Sequence, residues 1–421
     1  MIFGIELILL LIIIIGFYMA WNIGANDLAN SMASSVGAKA VSLRNAVILG
    51  GILAFIGAVF VGSHVAGTIK SGIVSPSDIK EEVYVMYGAI AALLGASFWI
   101  TLATWKELPI STTHSIVGGM MGFGIAVGGW EIVNWMIIGS IAASWVISPV
   151  LGAVLAYLMF RIILRFILQD ENPFQAAKRI GPIFISITFM IIASSILFKT
   201  PLGQNLEFSS VEIIILILIV GIFSGLTGYL ILTHYFKKTH KKEKQTKKES
   251  YERVEHIFSR LQLMTACYVA FALGANDVAN AIGPVATAFS VESGEGLGSE
   301  VSIPFYLLVV GGIGIVIGMF TWGYKVIKTI GSKITHITNT RGFSVEFGAA
   351  TSVLLASKLG MPVSTTHAVV GAVIGVGLAR GLDALDLSII KKIVVTWVIT
   401  VPVAAVTTAV IFLGLVALFP V

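Results

Sequence analysis

The chain has 421 residues, of which 57% are hydrophobic and only 12% charged, with 44 glycines. A soluble protein carries about 25% charged residues, so this composition excludes one soluble globule and points to many lipid-facing segments, where a charge near the bilayer centre costs about 3 kcal/mol. The net charge of +5 is gathered between apolar runs rather than spread over a nucleic-acid-binding face, and the single cysteine, Cys267, excludes an intrachain disulfide.

A bilayer-spanning helix needs about 20 apolar residues. Met1 to Ala20 is apolar apart from Glu6 and lacks the basic start and cleavage pattern of a signal peptide, so it reads as a retained first helix over 5–23. Further runs follow at 45–67, 84–105, 132–160, 180–199, 211–235, 258–275, 303–327, 343–360 and 388–419. Two more, 109–129 and 362–380, open on proline and polar residues and are read either as full spans or as re-entrant hairpins. The runs are too long for barrel strands and do not alternate. The expected class is therefore an all-α integral membrane protein of about twelve crossings, with broken or re-entrant helices at those two stretches.

Basic residues orient these crossings. Lys237 to Arg260 holds nine of them and is expected in the cytoplasm, with both termini outside. Counting outward from it, 23 of the 27 basic residues fall inside; only Lys70, Lys80, Lys199 and Lys358 fall outside, with the acidic loops at 78–82 and 291–300. The expected location is the plasma (inner) membrane.

The chain also contains itself twice. Gly24-Ala25-Asn26-Asp27-Leu28-Ala29-Asn30 recurs as Gly274-Ala275-Asn276-Asp277-Val278-Ala279-Asn280. Pro109-Ile110-Ser111-Thr112-Thr113-His114 recurs as Pro362-Val363-Ser364-Thr365-Thr366-His367, and Trp145-Val146-Ile147 as Trp397-Val398-Ile399. The separations are 250, 253 and 252 residues. With the crossing count, the copies run in opposite senses: inverted repeats, an architecture of secondary transporters. The expected division is 1–160 for the first repeat, 161–236 for linking helices, 237–257 for a basic loop and 258–421 for the second repeat.

On a helix Asn26 and Asn30 share a face with Asp27 beside it, and Asn276, Asp277 and Asn280 repeat the set. Such carboxylate and amide oxygens suit a hard cation such as sodium. Asn and Asp also cap helices, but an intramembrane carboxylate is expensive and marks an ion or substrate path. In the second block, proline followed by Ser and Thr begins a helix inside the membrane, and a helix N-terminus attracts anions. Ser111, Thr112, Thr113, Ser364, Thr365 and Thr366 add neutral donors. Asp27 and Asp277 take a second role, accepting a hydrogen bond from a protonated anion. His114 and His367 are expected behind this first layer. Trp145, Trp397 and Pro149 read as packing and helix geometry.

These paired blocks resemble the inorganic phosphate transporter family, the cation-coupled phosphate permeases. The resemblance covers the chain apart from 161–260, and the first copy departs only mildly, at Leu28 and Ser31. It implies an inverted-repeat fold that imports inorganic phosphate by symport, with sodium preferred here over the proton as coupling ion; some relatives carry sulfate. The expected partners are phosphate and the lipid bilayer, with no nucleic acid and a homo-oligomer left open. An intramembrane hydrolase would need the serine–histidine site duplicated, so no enzyme is expected. An anion channel would favour rings of Lys or Arg, which the spans lack. Cysteines placed in 237–260 should react only with reagents that reach the cytoplasmic face; labelling of that segment from outside removes the inverted-repeat expectation.

Overall fold

The structure, a computed structural model, describes residues 2–62, 73–74, 79, 81–199, 208–237, 246–292, 303–358 and 363–420. In a hydrocarbon slab each backbone N–H and C=O must be satisfied within its own segment, which leaves an apolar run the helix as its solution. The helices are α1 (Ile2–Gly37), α2 (Leu43–Val61), α3 (Glu82–Trp105), α4 (Thr112–Gly128), α5 (Trp135–Ile163), α6 (Pro173–Lys199), α7 (Ser210–Lys237), α8 (Lys247–Glu292), α9 (Phe305–Trp322), α10 (Tyr324–Lys328), α11 (Asn339–Lys358), α12 (Thr365–Arg380) and α13 (Leu387–Leu418). Side-chain caps start several of them: Ser42 bonds the Asn45 N–H, Asn134 that of Ile137, and Asp386 those of Ser388 and Ile389.

Nine of the described helices are long and apolar enough to cross a membrane. Burial is arranged accordingly. Asn22, Asn26 and Asp27 are fully buried, while Ile222 and Phe223 of α7 are 62% and 72% exposed. Polar side chains inside and apolar ones outside are the pattern lipid demands, and the protein is a multi-pass membrane protein.

Two expected boundaries move. Helix α1 does not stop with the apolar run at residue 23 but continues through Asn26, Asp27 and Asn30 to Gly37. Its polar side chains find partners on other helices, so the backbone has no reason to leave the helix. The basic loop placed at 237–257 is helical from Lys247 onward, and α8 crosses the division drawn at 257. Residues 238–245, 293–300, Lys70, Lys80 and Pro362 lie outside the described residues. The break expected at the first proline block is present. Helix α3 ends at Trp105, Glu107 takes a left-handed φ of 58°, and α4 begins at Thr112. At 17 residues α4 is ~25 Å long, short of a full crossing.

Packing pairs helices across the two halves of the sequence, and reciprocally. Helix α1 lies on α9 and α8 on α2; α4 lies on α13 and α12 on α5. The first two contacts are backbone to backbone. A methyl group on Gly24 would overlap the Ile315 carbonyl, and one on Gly274 would overlap that of Ala54. Both glycines open the Gly-Ala-Asn-Asp blocks, so they bring the polar helices to van der Waals distance of their partners. Gly24→Ala and Gly274→Ala should each destabilise the detergent-solubilised protein by about 2 kcal/mol through overpacking. Gly139→Ala, where the added methyl meets nothing within 4 Å, is the control. Equal melting temperatures for all three would show that the crossings are not this tight.

Candidate functional site

The middle of α1 places three polar side chains in the interior, and each has a distinct task. Asn26 faces the non-helical connection before α4. Its amide donates to Thr104 Oγ1 (2.8 Å) and to the Leu108 carbonyl (3.2 Å), and its Oδ1 accepts from the Ile110 N–H (3.2 Å). Asn26 therefore stitches the break in the chain to α1. Asn30 faces Asp27 and the opposite half. It donates to Asp27 Oδ1 (3.0 Å) and to Thr366 Oγ1 (2.9 Å), while its own Oδ1 is buried without a hydrogen-bond partner among the described residues.

Two helix N-termini meet at this point. Ser111 caps α4 by accepting from the His114 N–H, and Ser364 caps α12 by accepting from that of His367. The next residue of α4, Thr112, donates to Asp27 Oδ2 at 2.8 Å. Thr366 gives its proton to the Ile110 carbonyl at 3.0 Å and lies 3.4 Å from Asp27 Oδ1. The turn continues to Thr365, whose Oγ1 lies 3.5 Å from Asp277 Oδ2. Asn280 donates to Thr113 Oγ1 at 3.2 Å, closing the set from the other side. Asp27, Asn30, Asp277, Asn280, Thr112, Thr113, Thr365 and Thr366 are thus one continuous polar centre. Ser111 and Ser364 border it as caps. Asn276, half-buried, makes none of these contacts.

The copies are not equivalent in detail. Asp27 holds two short bonds from Thr112 and Asn30, whereas the Asp277 contact with Thr365 is at the limit of a hydrogen bond. Chemically, the centre offers carboxylates and amide oxygens for a hard cation, and hydroxyls and helix N-termini for an anion, side by side.

The two histidines follow the capping serines, and both are buried. Their rings meet edge to face with centroids 4.3 Å apart. Trp145 lies 3.9 Å from His114, and Trp397 stacks on His367 at 3.7 Å. The tryptophans, expected only as packing, therefore complete a row of four rings.

One cluster escaped the sequence reading. Glu346 of α11, 1% exposed, is bonded by Ser34 and Ser35 of α1 and by Thr265 of α8, with Gln262 Nε2 3.5 Å away. Gln262 Oε1 is buried without a partner among the described residues. Five oxygens, those of a carboxylate and three hydroxyls, meet beside the Gln262 amide with no basic side chain among them. The only available signal was an acidic residue inside the apolar run 343–360. The positions related to it by the repeat are Leu93, Pro284, Val285, Ile12 and Ile15, so duplication could not reveal it.

At the edge of the centre the connection 106–111 is held a second way. Glu107 pairs with Lys333 at 2.7 Å, and Thr329 donates to the Glu107 carbonyl at 2.8 Å. The bonded ammonium of Lys333 holds the Glu107 carboxyl below the usual carboxylate range. Both side chains are about half exposed, so the pair is worth at most ~1 kcal/mol.

Comparison with known proteins relates the chain to phosphate transporters. The family model described as "Phosphate transporter family" matches residues 23–408. A Pyrococcus abyssi protein provisionally named a phosphate permease is 48% identical over 404 residues, covering 96% of this chain and 97% of its own. The chloroplastic inorganic phosphate transporter 2-1 of Arabidopsis thaliana is 41% identical, covering 95% of this chain and 70% of its own. A solved structure, "The sodium-dependent phosphate transporter", superposes with a TM-score of 0.87 at 45% identity, covering 98% of this chain and 99% of that one.

The stitching by Asn26 has a measurable consequence. Asn26→Ala leaves the Ile110 N–H, the Leu108 carbonyl and Thr104 without their partner, and buried unpaired groups cost about 1–3 kcal/mol each. The variant should melt well below the parent, and protease should cut first between Lys106 and Ser111. Cleavage elsewhere would show that Asn26 does not hold this connection.

Proposed function

This chain belongs to the phosphate transporter family, and on that footing we propose that it imports inorganic phosphate in symport with sodium by alternating access. The observation that carries the reading is the convergence of two hydroxyl-lined helix N-termini, one from each half, on Asp27 and Asn30. Backbone N–H groups and neutral hydroxyls bind an anion without the tight hold of a buried Arg or Lys, so release is not slow. The orphaned Asn30 Oδ1 and the weakly bonded Asp277 supply the oxygens a sodium ion requires, and that ion offsets carboxylate repulsion of the anion. Sodium fits this set better than a proton, because amide and hydroxyl oxygens ligate a cation but do not carry a proton.

Selectivity follows from the same carboxylates. Phosphate keeps at least one proton at neutral pH and can donate it to Asp277 or Asp27; sulfate keeps none. A site with an unmet hydrogen-bonding requirement rejects the analogue by a factor of about 10⁴. The oxygen cage around Glu346 is a second place for the cation, on its way to or from the centre. Both termini lie outside, with the basic segment in the cytoplasm, and the reciprocal packing of the halves supports the inverted repeat. The chain has no catalytic role in this reading.

Uptake into proteoliposomes with sodium and pH gradients imposed separately tests it. Phosphate should enter with the sodium gradient and not with the pH gradient alone. Asp27→Asn and Asp277→Asn should reduce uptake at least tenfold and narrow the preference over sulfate, and Glu346→Gln should raise the sodium needed for half-maximal rate. Full uptake driven by pH alone removes sodium coupling. Equal uptake of sulfate by the wild type removes the account of selectivity.

A further inference from the structure

We propose that His114, His367, Trp145 and Trp397 are positioning residues that hold the two Ser-Thr-Thr turns by hydrogen bonds made on one side at a time, and that the set exchanges sides during transport. The inference rests on the alternating-access reading above. The repeat relates His114 to His367, Trp145 to Trp397 and Thr113 to Thr366, so each donor has a counterpart of the same chemistry in the other half.

In this conformation the bonds are one-sided. His367 Nδ1 lies 3.2 Å from the Trp145 carbonyl, which only accepts, so that nitrogen carries the proton. Trp397 Nε1 donates to the Pro109 carbonyl at 3.3 Å, and Thr366 to that of Ile110 at 3.0 Å. All three donors belong to the second half and all three acceptors to the first. Of the three counterpart donors, Thr113 accepts from Asn280 instead, and the other two are idle. His114 is 1% exposed, yet neither of its ring nitrogens has a hydrogen-bond partner among the described residues, and the same holds for Trp145 Nε1.

A buried polar group without a partner is costly and calls for an explanation. An idle imidazole and an idle indole at the positions related to two engaged ones have a common one. Their partners are second-half carbonyls, of which that of Val398, left without a helical N–H by Pro402, serves His114, and these come within reach in the opposite-facing conformation. The edge-to-face contact between the imidazoles enforces the exchange, because neither ring can turn toward a carbonyl without displacing the other. Trp397, stacked on His367, and Trp145, tilted against His114, keep each ring upright while it moves. Because the rings lie directly behind the capped turns, the exchange tilts the helix N-termini that face the anion.

The test measures direction, not loss. Spin labels replace Lys106 and Lys325 in a Cys267→Ala background, and distances are read in lipid nanodiscs with and without sodium and inorganic phosphate. The wild type should show two distances whose ratio responds to these ions. His367→Phe and Trp397→Phe remove bonds made here while keeping the rings, and should shift the ratio about fivefold toward the other conformer, the equivalent of one net hydrogen bond. His114→Phe and Trp145→Phe should shift it by a similar factor in the opposite direction. His367→Asn, which keeps a donor near the Nδ1 position, should restore the wild-type ratio. The tryptophan variants carry the same reading should Phe not be tolerated at the histidines. Two distances with all four variants shifting one way overturns the exchange and leaves alternating access standing. A single distance under every condition overturns both.

Discussion

Hydrocarbon offers a carboxylate nothing, so Asp27 has to be met by donors carried in from elsewhere in the chain, and this requirement organises the interior. Thr112 and Asn30 answer it directly. Thr112 reaches Asp27 only because α3 stops at Trp105 and α4 starts afresh inside the membrane. That interruption exposes backbone groups of its own, which Asn26, Thr366 and Trp397 satisfy at Leu108, Ile110 and Pro109. Each polar group placed in the slab thus requires another, until the network closes on itself.

Closure depends on backbones coming close enough for short side chains to reach. The glycines that open the duplicated Asn-Asp blocks let α1 and α8 lie directly on the carbonyls of α9 and α2. In lipid there is little hydrophobic drive between helices, and such small-residue contact is what makes one helix pairing better than another. The motif therefore combines two requirements in seven residues: the glycine sets the crossing, and the Asn and Asp on the next turn use it. Charge is kept out of this interior except where oxygens surround it. Basic side chains remain at the edge, where Lys333 meets Glu107 and solvent still reaches both.

Duplication of the sequence does not produce duplication of the chemistry. Asp27 and Asp277 are related by the repeat, but one is firmly bonded and the other is barely touched. Glu346 has no counterpart, since the related positions are apolar or proline. Two copies of one unit can take different conformations in one molecule at little cost, because each is already a workable solution for that sequence.

The sequence by itself determined the class and the identity of most of the polar centre. Apolar runs of membrane length dictate helices because the backbone has no other way to bond in lipid, and the capped starts at Ser111 and Ser364 follow from the residues next to them. The paired Asn-Asp and Ser-Thr-Thr blocks announced themselves through repetition. Tertiary structure alone decided the rest. It carried α1 through its motif to Gly37, turned Asn26 toward the chain break and Asn30 toward Thr366, and made a row of rings from the two histidines and from tryptophans that had read only as packing. It also gathered Ser34, Thr265 and Glu346, up to 312 residues apart, around one point. Local preference and spacing describe what a segment does alone. Which face of one helix meets which face of another is settled by packing between segments far apart in the chain, and the partners of Glu346 exist only once that packing is complete.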